Sequence, residues 1–130
     1  MQGRRLPNQV YGRQWPEELQ PGDYWLWMDW KDPEKPLPAD RVIRGRTALE
    51  AGNLTGLVIG LMTPNGMQAD LTLHTVRIEA DETFSIRPGD GSSNSILVEA
   101  PPIARWHGYM EHGVWQPLGD CHGEVEYDPV

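Results

Sequence analysis

Ile103-Ala-Arg-Trp-His-Gly-Tyr-Met-Glu-His-Gly-Val-Trp-Gln-Pro117 reads as two short strands folded back across a turn. Ile103 to Tyr109 makes the first arm and Gly113 to Pro117 the second. Met110-Glu111-His112-Gly113 lies between them, with Gly113 suited to a left-handed bulge position. The same rhythm extends upstream. Ser95-Ile-Leu-Val-Glu99 is a strand stopped by Pro101-Pro102, and Val76-Arg-Ile-Glu79 and Thr83-Phe-Ser-Ile-Arg87 alternate about an Ala80-Asp81-Glu82 turn. Gly56-Leu-Val-Ile-Gly-Leu-Met62 is a buried strand, and Pro64-Asn65-Gly66 a strong turn signal, because Asn-Gly takes positive φ readily. Its return strand falls within Met67 to Val76, where Leu71 and Leu73 alternate with Thr72 and His74.

Further toward the N-terminus, Tyr24-Trp-Leu-Trp-Met-Asp-Trp30 is rich in β-formers. Tyr24, Leu26 and Met28 share one face and Trp25, Trp27 and Asp29 the other, so both sides of this strand should be covered. Trp15-Pro-Glu-Glu-Leu19 predicts one helical turn, and Thr47-Ala-Leu-Glu-Ala51 before Gly52 a second. Residues 31–40 hold three prolines and five charges and read as a loop. Some seven short strands with frequent turns give a mostly β fold, a small antiparallel β-sandwich or rolled barrel with one or two short helical turns. Residues 1–14 are expected as a flexible N-terminal arm and 15–130 as a single β-rich domain.

At 130 residues, one domain is the expectation, and 38 % hydrophobic residues suffice for one core. No apolar run approaches the length of about 20 residues that a membrane helix needs. Arg4 and Arg5 are followed by a polar stretch rather than a signal-peptide core, so a soluble intracellular protein without membrane association is expected. Of the net charge of −8, residues 1–50 contribute nothing, with eight basic and eight acidic groups. Residues 51–130 carry only Arg77, Arg87 and Arg105 against eleven carboxylates. Such a balance disfavours direct nucleic-acid binding, which depends on cations. The acidic groups are also too scattered for phosphate mimicry.

Among chemistry-bearing residues, the single Cys121 excludes an internal disulfide and any zinc site built on Cys pairs. His107, His112, Cys121 and His122 lie close in sequence, but without a recognised ligand spacing. His107, Cys121 and His122 are the weak candidates for zinc, with no cofactor as the main expectation. His74, within an apolar alternation, reads as a structural histidine. The six tryptophans leave two readings open: bulky core residues in a chain with one Phe, or a stacking platform for a partner. Trp25, Trp27, Trp30, Trp106 and Trp115 are the candidate binding residues.

Ser95-Ile-Leu-Val98, Trp106-His-Gly-Tyr-Met-Glu-His-Gly-Val-Trp115 and Leu118-Gly-Asp-Cys-His122 together resemble a family of small uncharacterised phage and prophage proteins, some mislabelled ammonia monooxygenase. Leu19-Gln-Pro-Gly-Asp-Tyr24 resembles the family's opening, and the likeness spans about residues 67–122 besides. Many relatives carry a Cys-rich, knuckle-like segment where this chain has Leu61-Met-Thr-Pro-Asn-Gly66, and a Cys at the position of Trp106. A ligand set of that kind would be dismantled here to His107, Cys121 and His122. The resemblance implies a β-fold and a phage source, in the bacterial host cytoplasm or the virion. On that basis the expected role is a non-catalytic protein-binding module, an accessory or anti-defence factor docking on a host or phage protein. A structural virion or assembly component is the alternative, which leaves homo-oligomerisation open. A metal-dependent hydrolase at His107, Cys121 and His122 is the second alternative.

Overall fold

The computed structural model describes residues 1–10, 15–28, 32–34, 36–44, 58–72, 74–88 and 95–125. Eleven strands and no helix occur among them: β1 (Arg4–Arg5), β2 (Gln9–Val10), β3 (Asp23–Met28), β4 (Val42–Arg44), β5 (Val58–Met62), β6 (Gln68–Leu71), β7 (Thr75–Ile78), β8 (Phe84–Ser85), β9 (Ile96–Ala100), β10 (Ala104–Glu111) and β11 (Val114–Pro117). They form three sheets, β1-β3-β5-β6 with β2 also on β3, β4-β7-β8, and β11-β10-β9. Every pairing is antiparallel except those of β1 and β2 with β3. The described residues form a small sandwich-like all-β fold in which, among them, no sheet closes into a barrel.

Local chemistry explains the turns. Pro64-Asn65-Gly66 joins β5 to β6, with Gly66 at φ 94° and its N–H donating to Thr63 O at 2.9 Å. The β10–β11 bend is tighter than the sequence suggests. Glu111 pairs with Val114, leaving only His112 (φ 47°) and Gly113 (φ 77°) in the turn. Two positive φ angles match the right-handed twist of the flanking strands, as in a type I′ hairpin.

Strand β3 divides the interior. Tyr24, Leu26 and Met28 face the main core with Leu61, Phe84, Ile86, Ile96, Met110 and Trp115, whereas Trp25 and Trp27 face a smaller one with Leu19, Val58 and Met62. Both faces of the strand are covered, as the alternation indicated. On the second side Trp15, Trp25 and Trp27 meet edge to face, with ring centroids 5.4 to 5.7 Å apart. Gly60 makes room for them, since a Cβ there would strike both the Trp25 and Trp27 indoles.

Two expectations are corrected. Residues 15–19 form no helical turn: Glu17 and Glu18 make a plain turn, and Glu18 at φ 56° cannot propagate a helix. The helix expected over 47–51 lies outside the described residues. Residues 1–10, expected as a flexible arm, are instead laced into the sandwich; residues 11–14 lie outside the described set. Trp115 N donates to Met1 O at 2.8 Å and Gly3 N to Gly113 O at 2.8 Å, after which Leu6 N donates to Tyr24 O at 2.9 Å. This segment therefore bridges β11 and β3. Arg4 secures it by donating through Nε and Nη2 to the buried Asp23 carboxylate, at 2.9 and 2.7 Å. Ile86 and Met110 exchange backbone hydrogen bonds, tying β8 to β10 beside the end of β9.

Candidate functional site

Among the described residues, the candidate tryptophans do not present a platform. Trp25, Trp27, Trp106 and Trp115 are all buried, with Trp106 and Trp115 stacked edge to face at 4.9 Å and Trp115 Nε1 donating to Gly22 O at 2.9 Å. Burial of about 150 to 250 Å² per aromatic ring explains why a chain with one Phe places them inside. Trp30 lies outside the described residues. The contact surface expected at these positions is, for the four that are described, core.

The exposed chemistry lies on the outer face of β9-β10-β11. Strand β10 alternates strictly. Ala104, Trp106, Gly108 and Met110 are buried, while Arg105, His107, Tyr109 and Glu111 are half-buried and face outward. His107 stands opposite Leu97 in the β9–β10 register, and Ser95 lies two residues before Leu97, so its side chain falls on the same face. Ser95 Oγ is 2.9 Å from His107 Nε2.

The third member comes from the chain after β11. Leu118 N donates to His107 O at 2.8 Å, and His122 then pairs with Arg105 through both backbone groups, at 2.8 and 3.0 Å. Three residues separate those contacts and must bulge out of the ladder. Asp120, in that bulge, turns over the outer face, placing its Oδ1 and Oδ2 3.1 and 3.0 Å from His107 Nδ1. Cys121 turns inward: His107 N–H donates to its sulfur at 3.3 Å, and the thiol donates to His107 O at 3.2 Å. One side chain thus replaces the backbone partner that the bulge removed. Asn65, from the β5–β6 turn, holds the far side by donating to Arg105 O and Gly123 O, each at 3.1 Å.

Proton placement follows from the partners. A carboxylate only accepts, so Nδ1 carries the proton toward Asp120. In the neutral ring Nε2 is then an acceptor, and the Ser95 hydroxyl donates to it. The hydrogen bond from His107 is the main cause that holds Asp120 below the ordinary carboxylate range, with Arg105 adding a smaller favourable charge at 3.4 Å. Arg105 also reaches Glu99 Oε1 at 3.1 Å, which fixes the guanidinium beside the site. His74 Nε2 donates to Ser95 O at 3.0 Å, holding the backbone that carries the hydroxyl. A hydroxyl, an imidazole and a carboxylate therefore stand in series, in the order that general-base activation of a nucleophile requires.

No family model, curated protein or solved structure matches the chain. Its site is read from its own geometry. Of the candidate metal ligands, His107 and Cys121 come together, but the thiol engages the His107 backbone while both ring nitrogens face Ser95 and Asp120. His122 joins β10 through its backbone. Among the described residues, no group of three or more His, Cys, Asp or Glu is placed to hold a metal ion. Ser95 and Asp120 were not singled out from sequence for this role.

Proposed function

We propose that this protein is a hydrolase of carbonyl compounds, with Ser95 as nucleophile, His107 as general base and then general acid, and Asp120 as the group that orients the imidazole. The observation that carries this reading is the continuous Ser95–His107–Asp120 hydrogen-bond series on an outward face. In the first half-reaction Ser95 Oγ bonds to the substrate carbonyl carbon as its proton passes to His107 Nε2. Asp120 stabilises the imidazolium, and that proton then goes to the leaving alcohol or amine as its bond to the carbonyl breaks. Water next attacks the acyl-serine, giving its proton to His107, and as the carbonyl C–Oγ bond breaks His107 returns that proton to Ser95 Oγ, releasing the acid.

The test is turnover of p-nitrophenyl acetate, together with intact-mass detection of an alkyl fluorophosphonate adduct. The expected results are turnover above background and a single adduct on Ser95, both lost in Ser95→Ala and His107→Ala variants that keep the wild-type circular dichroism. Equal labelling of His107→Ala, or no labelling of the wild type, refutes the assignment.

A protein-binding role remains a second reading, favoured by the exposed Leu97, Ile103 and Leu118 rather than by tryptophan. Under the phage resemblance the partner would be a host or phage protein, met in the host cytoplasm or on the virion. A biological effect that survives Ser95→Ala would favour that reading over catalysis.

A further inference from the structure

Large apolar side chains exposed among the described residues are few: Met1, Leu97, Ile103 and Leu118. Two of them flank His107. Leu97 is its cross-strand partner on β9, where directly opposed residues hold their Cβ atoms about 5 Å apart. Leu118 arrives from the opposite side, where its N–H bonds the His107 carbonyl. Their exposures are 50 % and 37 %. Leu97 shares its strand face with the Ser95 hydroxyl, one pleat repeat away, a distance of about 7 Å. The polar edge of the site is formed by Glu99, Arg105 and Asp120, already joined to one another by ion pairs. Isolated exposed leucines need no explanation, but these two put apolar surface on both flanks of the His107 imidazole.

We infer that Leu97 and Leu118 are specificity-determining residues that hold the acyl part of the substrate, and that this part is an uncharged apolar chain. The inference rests on the reading of Ser95 as nucleophile. The carboxylates of Asp120 and Glu99, two against the single Arg105 that pairs with both, would disfavour an anionic acyl group, whereas a hydrocarbon chain would lie against these exposed leucines with its carbonyl at Ser95 Oγ.

The test compares kcat/KM for p-nitrophenyl acetate, butyrate and hexanoate, on the full chain and on Leu97→Ser and Leu118→Ser. Each methylene that gains full cover is worth about fourfold in kcat/KM. Partial cover on an open face should still give a hexanoate-to-acetate ratio of about tenfold or more, falling to about threefold or less in either variant. Because both leucines are exposed, the variants should unfold at the wild-type temperature. A flat series in the wild type, or an unchanged ratio in either variant, overturns the inference while Ser95-dependent acetate turnover stands. Absence of any Ser95-dependent turnover fails the underlying reading instead.

Discussion

Replacing Cys121 with alanine should loosen the bulge that carries Asp120. In the wild type the Cys121 sulfur accepts the His107 N–H at 3.3 Å and its thiol donates to the His107 carbonyl at 3.2 Å, while the side chain packs against the main core. The carbonyl keeps a second donor in Leu118 N, so alanine orphans only the N–H. An unsatisfied, partly buried amide costs about 1 kcal/mol, the low end of the usual range because water can approach it. Loss of the packed sulfur adds something of similar size, for a total of about 1.5 to 2 kcal/mol. For a chain of this length that corresponds to a fall of roughly 5 to 10 °C in melting temperature. Serine keeps a donor and an acceptor on a shorter bond and should lose less than half as much. Urea unfolding of the wild type, Cys121→Ala and Cys121→Ser measures this directly. If alanine costs less than about 0.5 kcal/mol, or serine costs as much as alanine, the thiol does not replace a ladder partner. Under the proposed hydrolase reading there is an independent readout: kcat should fall more than KM changes, because the displaced group is Asp120 rather than a substrate contact.

Arg4→Met should cost about 2 to 3 kcal/mol in urea unfolding, somewhat below the usual penalty for stranding a buried carboxylate, because Asp23 keeps the Gln20 amide at 2.8 Å. A neutral result would mean that the Arg4–Asp23 pair does not hold residues 1–10 to the sandwich. Asp70→Asn should stabilise the protein at pH 7. Burial pushes Asp70 above the ordinary carboxylate value of 3.8 more than the hydrogen bond from Trp27 Nε1 lowers it. A raised folded-state pKa favours the fold only where the group is protonated, so that contribution is complete below 3.8 and lost as pH rises through the folded value. The advantage of asparagine should accordingly shrink on going from pH 7 to pH 3.5, and a destabilised variant at pH 7 would contradict the sign. Gly108→Ala should cost about 1 to 3 kcal/mol, because its Cβ would run into the Gln116 carbonyl on β11 and the Trp106 ring. Thermal unfolding of the variant checks it.

Hairpins were legible where turn chemistry and alternation agree. Pro64-Asn65-Gly66, Ala80-Asp81-Glu82 and His112-Gly113 all sit between paired strands, and the β3 alternation sorted its side chains correctly between two cores. The N-terminal strands were not legible. Two-residue pieces such as Arg4–Arg5 carry no periodicity, and their parallel partner lies nineteen positions away. Tryptophan burial was ambiguous because a large amphipathic ring suits a core and a contact surface equally. The Ser95–His107–Asp120 series was hidden for a similar reason: its members are brought together by the β9–β10 register and by a bulge after Pro117, and neither has a local signature.

The seam between the N-terminal segment and β11 has a consequence for the order of folding. Met1 and Trp115 are hydrogen-bonded partners separated by 114 positions, whereas the β10–β11 hairpin forms from neighbours. Loop closure over so long a span is entropically costly, so the local hairpins should form first and the opening residues dock last. During synthesis the first three residues wait, unpaired, until the strand that receives them has left the ribosome. The sandwich is completed by a segment made well before the strand that receives it.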